Sequence, residues 1–107
     1  MKKKVLVYDN QVGYYNLLND TVKNGYEFLL FTNGNNYEDG YDAVVFFLHD
    51  EIELIDLVKL YRPETPFVLG SSKRSSYMAS RGNVFTVDLG QTKDRIEKNL
   101  IEVFETI

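Results

Sequence analysis

The chain has 107 residues and 44% apolar side chains, which predicts one packed domain and excludes a largely disordered segment. It contains no cysteine and one histidine, so disulfide scaffolds, thiolate metal sites and multi-histidine metal sites are excluded. The net charge of −4 weighs against nucleic acid as a partner, because nucleic-acid modules usually carry a basic surface.

The chain begins with a basic stretch that is followed by a short apolar run. This run, residues 5–8, meets Asp9 after four residues, far short of a membrane span or of the apolar core of a signal peptide. We therefore expect a cytoplasmic protein without a membrane partner, complete as one domain over residues 1–107.

Five apolar runs predict five strands, at residues 5–8, 26–31, 43–48, 67–69 and 84–87. β-Branched and aromatic side chains fill these runs with little alternation of polar residues, which is typical of strands buried on both faces. The alternation of strands with helical segments predicts an α/β fold with a parallel sheet and helices on both faces.

Helical spacing predicts a first helix over residues 14–22 and a second helix after the third strand. The second helix begins at Asp50, where Glu53 completes a capping box, and ends before Pro63. Its apolar face is predicted to consist of Ile52, Ile55, Val58 and Tyr61.

The rest of the chain contains two poor helical segments and one further clear helix. Residues 32–41 and 71–81 are rich in asparagine, glycine or serine, so only short helices are expected there. The last helix begins near Thr92, and its apolar face comprises Ile96, Leu100, Val103, Phe104 and Ile107.

Characteristic residues lie at the carboxyl ends of the predicted strands: Asp9 and Asn10 after the first, Phe47 at the end of the third, and Ser71 and Ser72 after the fourth. This order resembles the receiver domains of two-component response regulators. Residues 4–10 are similar to the first receiver strand with its acidic pair, here Asp9 and Asn10. Residues 41–47 are similar to the third strand, which in receivers ends at the phosphorylated aspartate. Residues 63–72 are similar to the fourth strand with its hydroxyl residue, here Ser71.

This resemblance covers nearly the whole chain and implies a flavodoxin-like, three-layer sandwich. It implies a five-stranded parallel sheet in the order 2-1-3-4-5, with the second and fourth helices short or missing. It also implies that the chemistry of the protein lies at the carboxyl ends of the strands, where open α/β sheets bind their ligands.

The receiver pocket is degenerate in this sequence. Receivers hold a magnesium ion with an acidic pair and the acceptor aspartate, because this hard cation prefers several oxygen ligands. Here Asp9 is retained, but Asn10 replaces its acidic partner and Phe47 occupies the acceptor position. Val87 stands in place of the fifth-strand lysine, and Ser71 keeps the hydroxyl. We therefore expect no catalytic residue, no cofactor and no metal site, with Asp9 as a weak metal candidate.

Three polar residues that follow the first and third strands have more than one interpretation. Asp50 is more simply a helix cap than a displaced phosphoacceptor. His49 is either a loop residue with a local hydrogen bond or a phosphohistidine or general base, because imidazole changes charge near neutral pH. Asp9 either binds a cation weakly or caps the first helix together with Asn10.

The resemblance implies an atypical receiver that acts in a bacterial signalling pathway through protein–protein interaction, without aspartyl phosphorylation and without enzyme activity. In receivers the fourth helix, fifth strand and fifth helix commonly form the partner or dimer surface, and a homodimer is therefore also expected. Carried onto this chain, that surface includes exposed positions after Thr92 together with Lys73, Arg74, Tyr77 and Phe85.

Two other functions remain open from the sequence. Asp9, Ser71 and Ser72 could line a polar hollow that places a receiver-like domain under the control of a cation or small ligand. A flavodoxin-like cofactor binder is less favoured, because the loop at residues 9–15 has an acid where a phosphate would bind.

Overall fold

The computed structural model describes residues 3–22, 25–31, 40–71 and 83–107. The strands are β1 Lys3–Tyr8, β2 Tyr26–Leu30, β3 Ala43–Leu48, β4 Phe67–Ser71 and β5 Val84–Asp88. The helices are α1 Gly13–Thr21, α2 Leu54–Leu60 and α3 Lys93–Thr106, and a 3-10 turn over Glu51–Glu53 leads into α2. Residues 32–39 and 72–82 lie outside the described ranges, so the expectation of short or missing second and fourth helices remains a prediction.

The five strands form one parallel sheet in the order β2-β1-β3-β4-β5, as predicted. Helices α1 and α3 cover one face of the sheet, and α2 covers the other. The predicted α/β, flavodoxin-like arrangement is therefore confirmed. Strand β3 lies in the centre, and all six of its residues are buried.

The alternation of side chains along each strand divides the core into two layers. Val5, Val7 and Val45 point to the face covered by α1 and α3. Leu6 and Phe46 point to the face covered by α2. Because both faces are covered, these strands need apolar residues at successive positions, which explains their continuous apolar sequence.

The predicted helix starts at Asp50 and Thr92 are confirmed. The Asp50 carboxylate accepts a hydrogen bond from Ile52 N at 3.2 Å, and Asp50 N donates to Glu53 Oε1 at 3.0 Å, which completes the capping box. Thr92 Oγ1 accepts from Arg95 N at the start of α3. The predicted apolar face of α3 packs into the core through Ile96, Leu100 and Phe104.

The predicted apolar face of α2 is wrong for three of its four residues, whereas the fourth, Tyr61, packs against the core and its ring contacts Phe67. Ile52, Ile55 and Val58 are 72%, 62% and 74% exposed, whereas Leu57 and Leu60 face the sheet. Apolar residues recur every three positions on both sides of this segment, so periodicity alone does not select the buried side.

Two acidic side chains fix the rotation of α2 about its axis. Glu53 is buried and accepts hydrogen bonds from His49 N and Asp50 N. Asp56 accepts from the Tyr8 hydroxyl on β1 at 2.7 Å. Because positions three and four apart share one face of a helix, these contacts turn the following leucines toward the sheet.

The helices in the described ranges are short or polar. None of them is long and apolar enough to cross a membrane. The longest, α3, has 14 residues and presents charged side chains on its outer face.

Candidate functional site

The loops after β1 and β3 meet at one edge of the sheet. These strands are neighbours, but the chain continues from β1 toward β2 and from β3 toward β4, in opposite directions across the sheet. Such a reversal opens a crevice between the two loops, where α/β proteins commonly bind ligands. Asp9 and Asn10 follow β1 at this edge, and His49 follows β3.

The Asp9 carboxylate is buried and bound on both oxygens by the protein itself. Oδ1 accepts from Gln11 N at 3.1 Å and lies 2.6 Å from His49 Nε2. Oδ2 accepts from Tyr14 N at 2.9 Å and Tyr15 N at 3.0 Å, in the first turn of α1. A carboxylate has about four acceptor positions, and these donors use four. Asp9 therefore caps α1, one of the two roles that the sequence left open.

His49 forms a carboxylate–imidazole pair with Asp9, which was not predicted from the sequence. Its side chain is 14% exposed, and its ring lies 5.8 Å from the Tyr14 ring at an interplanar angle of 19°. With Nε2–H donating to Asp9, a neutral ring presents Nδ1 as an acceptor, and a protonated ring forms an ion pair. The pair connects the loop after β3 to the loop after β1. The signal for it was available, because the two residues directly follow adjacent strands.

The expectation that Asn10 caps α1 together with Asp9 is wrong. Its side-chain Nδ2 donates to the Tyr8 hydroxyl at 3.2 Å and to the Glu53 carboxylate. Glu53 Oε1 also accepts from His49 N at 2.6 Å and from Asp50 N. The amide therefore joins the loop after β1 to the start of α2. A second acid at position 10 would place two carboxylates together here, with unfavourable repulsion.

The Tyr8 hydroxyl continues this network on the α2 side of the sheet. It donates to Asp56 Oδ2 at 2.7 Å and accepts from Asn10. Burial, and then the hydrogen bond to the Asp56 carboxylate, raises the pKa of Tyr8 to about 12. The hydroxyl therefore stays protonated at neutral pH and acts as a structural donor.

The Phe47 ring fills the space at the end of β3 on the α1 side. It is fully buried and stacks on the Tyr14 ring with centroids 4.9 Å apart. Its other neighbour is the backbone of Gly70, the residue paired with it on β4. A Cβ added to Gly70 would lie 2.8 Å from Phe47 Cδ1, which no packed structure tolerates without a shift. Val87, next to Gly70 on β5, is also buried.

Ser71 lies apart from Asp9. It ends β4, which is separated from β1 by β3, so two strand spacings of about 5 Å each lie between the two backbones. Side chains two positions apart on a strand share one face of the sheet, so the Ser71 side chain lies on the α2 face with Leu69. The Asp9 carboxylate binds α1 on the opposite face. The described contacts do not bring the two together, and Ser72 lies outside the described residues.

The surface that the receiver resemblance predicts is described only in part. Phe85 on β5 is half-buried and packs against the core layer under α1 and α3. Lys73, Arg74 and Tyr77 lie outside the described residues. A surface groove of about 440 Å³ runs along α3, and it is lined by Asp88, Gln91, Arg95, Lys98, Asn99 and Glu102.

Comparisons with known proteins do not assign the chain to a family. No family model, no curated protein and no solved structure matches it. Within the described residues, no three histidine, aspartate or glutamate side chains are grouped so as to hold a metal ion. The fold itself is shared by proteins of many unrelated functions, so function has to be argued from the residues at the sheet edge.

Proposed function

We propose that this protein is an atypical, receiver-like module that acts in bacterial signalling, in the cytoplasm, by binding other proteins. In this proposal it carries no aspartyl phosphorylation and performs no catalysis. The observation that carries the proposal is the state of Asp9, whose four acceptor positions are all filled by donors of the chain. An acid bound in this way has no lone pair left for magnesium.

The end of β3 supports the same proposal. Phosphoryl transfer to a receiver requires a carboxylate nucleophile beside a metal ion that neutralises the phosphoryl charge. Phe47 supplies neither an oxygen nor space, since its ring is fully buried against Tyr14 and Gly70. What the sheet edge retains is a set of hydrogen bonds that hold α1 and α2 in one arrangement. A fixed arrangement suits a module that presents a constant surface.

The first test asks whether the protein responds to phosphoryl chemistry. The wild-type protein is incubated with magnesium and acetyl phosphate and examined by intact mass, and amide NMR spectra are recorded with magnesium and beryllofluoride. We expect no phosphorylated species and no shifts at Asp9 or Ser71. The Asn10→Asp/Phe47→Asp double variant is the matched comparison that restores acidic groups. A phosphorylated aspartate in the wild type would contradict the proposal.

The same spectra distinguish the alternatives that the sequence left open. Shifts at both Asp9 and Ser71 on adding magnesium or phosphate alone would favour control by a cation or small ligand. Visible flavin absorbance of the purified protein would favour a cofactor binder.

The second test addresses protein binding directly. Crosslinking in the native cell, followed by mass spectrometry, is carried out with the wild type and with the Lys73→Glu/Arg74→Glu variant. We expect one reproducible partner whose capture does not depend on phosphoryl donors. The Lys3→Glu/Lys4→Glu variant, at the exposed start of β1 and away from the predicted partner surface, controls for the same change in net charge. If neither the wild type nor the variants contact a protein, the proposal fails.

A further inference from the structure

Helix α2 and the 3-10 turn that leads into it expose an apolar stripe on the side turned away from the sheet. The stripe consists of Ile52, Ile55 and Val58, which are 72%, 62% and 74% exposed. Residues three apart lie on one face of a helix, so the three side chains are contiguous. Single exposed apolar residues are ordinary on protein surfaces, but a contiguous row on a helix whose other side is already packed marks a contact surface.

Charges of opposite sign lie at the two ends of this stripe. Asp50 and Glu51 are exposed at the beginning of the helix. Lys59 is exposed at its end, and Arg62 follows, with its guanidinium bound to the carbonyl oxygens of Lys59 and Tyr61. The surface therefore runs from acidic through apolar to basic along the helix axis.

We propose that the α2 stripe is the contact surface between two copies of this chain, paired antiparallel about a two-fold axis. In that arrangement Ile55 lies at the axis and faces its own counterpart. Ile52 of one copy lies against Val58 of the second copy, and the same contact occurs twice. Such a surface is self-complementary, which is the requirement for a symmetric dimer.

Charge complementarity selects the second copy as the occupant. Antiparallel pairing brings Glu51 of each copy to Lys59 of the other, so both ends of the interface join opposite charges. A parallel pairing would join like charges at each end and is disfavoured. An unrelated partner would have to reproduce this order of acidic, apolar and basic groups, whereas a second copy supplies it by symmetry.

The size of the stripe sets the expected strength. Stable interfaces usually bury about 800 Å² on each partner, which is more than about two turns of helix can provide. The dimer is therefore weak and depends on protein concentration. This inference deepens the proposed function, because it names a second copy as one protein partner, but it does not depend on the absence of phosphorylation.

The first experiment measures the dimer dissociation constant by sedimentation over a wide range of concentration. Ile55→Asp places two like charges at the symmetry axis, and we expect it to weaken the dimer about 30-fold, as for a central interface residue. Ile101→Asp on α3 is the matched control, because Ile101 is 38% exposed and lies outside the stripe. It should leave the constant unchanged, and circular dichroism should show both variants folded.

The second experiment tests the antiparallel order of charges. Glu51→Lys and Lys59→Glu, made separately, should each weaken the dimer about fivefold. Mixing the two single variants should restore dimerisation as a heterodimer, because each then supplies the charge that the other lacks. A parallel interface, or one elsewhere on the surface, would show no such rescue.

Three outcomes would overturn the inference while leaving the proposed function standing. The wild type could remain monomeric at every concentration. The dimer could persist unchanged in Ile55→Asp. The Ile55→Asp variant could lose a different protein partner while the wild type is monomeric, which would assign the stripe to that partner. A phosphorylated aspartate, by contrast, would overturn the proposed function and leave the dimer intact.

Discussion

The Phe47 ring and the bare backbone of Gly70 form one packing unit at the end of β3. The ring occupies the volume that a side chain at position 70 would need, since an added Cβ would approach Cδ1 to 2.8 Å. Tyr14 stacks on the same ring, with the two centroids 4.9 Å apart. The sequence already placed an apolar residue where receivers carry their acceptor. It did not show that a glycine on the neighbouring strand makes room for the ring, because that pairing depends on the strand register.

Replacing Phe47 by aspartate should destabilise the fold. The Phe47→Asp variant loses the buried aromatic surface and places a carboxylate beside the filled Asp9 cluster, which we expect to cost about 1–3 kcal/mol of unfolding free energy. Urea denaturation monitored by circular dichroism measures the change. Phe47→Leu, which keeps an apolar side chain, should lose less. Equal or greater stability of the aspartate variant would contradict the argument.

Val12, immediately before α1, has a left-handed backbone that is costly for a β-branched residue. Its φ is 65°, and no other described non-glycine residue has a positive φ. The conformation is imposed by the tight loop that brings the amides of Gln11, Tyr14 and Tyr15 onto Asp9.

Glycine at position 12 should therefore raise the stability of the protein. The Val12→Gly variant relieves the strain, and we expect a gain of about 1 kcal/mol in unfolding free energy, measured by urea denaturation. Gln11→Gly is the matched control, because the neighbouring residue has no positive φ to relieve and should lose stability through backbone entropy. A loss in Val12→Gly as large as that of the control would show that Val12 is unstrained.

The helices and strands could be predicted from the sequence more completely than the contacts between individual side chains. The five strands follow from their continuous apolar runs, and the starts of α2 and α3 follow from capping side chains whose hydrogen bonds are local. The rotation of α2 was predicted wrongly, since its buried side begins with the acids Glu53 and Asp56. Glu53 is buried and Asp56 is half-buried because Asn10 and Tyr8, which are distant in the sequence, bind them, and helical periodicity carries no information about such partners.

Glu53 should contribute more to the stability of this element than the other member of its capping box. The Glu53 carboxylate accepts hydrogen bonds from two backbone amides and from the Asn10 side chain. Glu53→Gln replaces one of its acceptor oxygens with an NH₂ group, which then faces one of these N–H donors. We expect a loss of about 1–3 kcal/mol, against about 1 kcal/mol for Asp50→Ala. Glu64→Gln, at an exposed turn, is the control for the loss of one negative charge. Thermal denaturation of the three variants ranks their losses of stability. A smaller loss in Glu53→Gln than in Asp50→Ala would contradict this prediction.

At the scale of the whole molecule, the polar network joins both layers of the fold through the central strands. On one face Asp9 connects the end of β1 to α1 and, through His49, to the end of β3. On the other face Tyr8 connects β1 to α2. Part of this site could be predicted from the sequence, because Asp9 and His49 directly follow two strands that are adjacent in the sheet order implied by the receiver resemblance. The partners of Tyr8 could not be predicted, because a tyrosine within an apolar run looks like any other core residue in the sequence.

Tyr8 therefore predicts how the stability of the molecule changes with alkaline pH. Its pKa is raised from 10.0 to about 12 in the folded protein, so the folded state retains a proton that the unfolded state has already lost. This stabilisation is fully present below pH 10 and is lost as the pH rises from 10 to about 12. Tyr8→Phe lacks the hydroxyl, so the stability difference between the wild type and this variant should narrow over that interval. Tyr41→Phe controls for tyrosine ionisation elsewhere, and urea denaturation in steps from pH 8 upward measures both variants. A difference that is independent of pH would show that the Tyr8 hydroxyl titrates alike in the folded and unfolded chains, and that its link to Asp56 is not formed in solution.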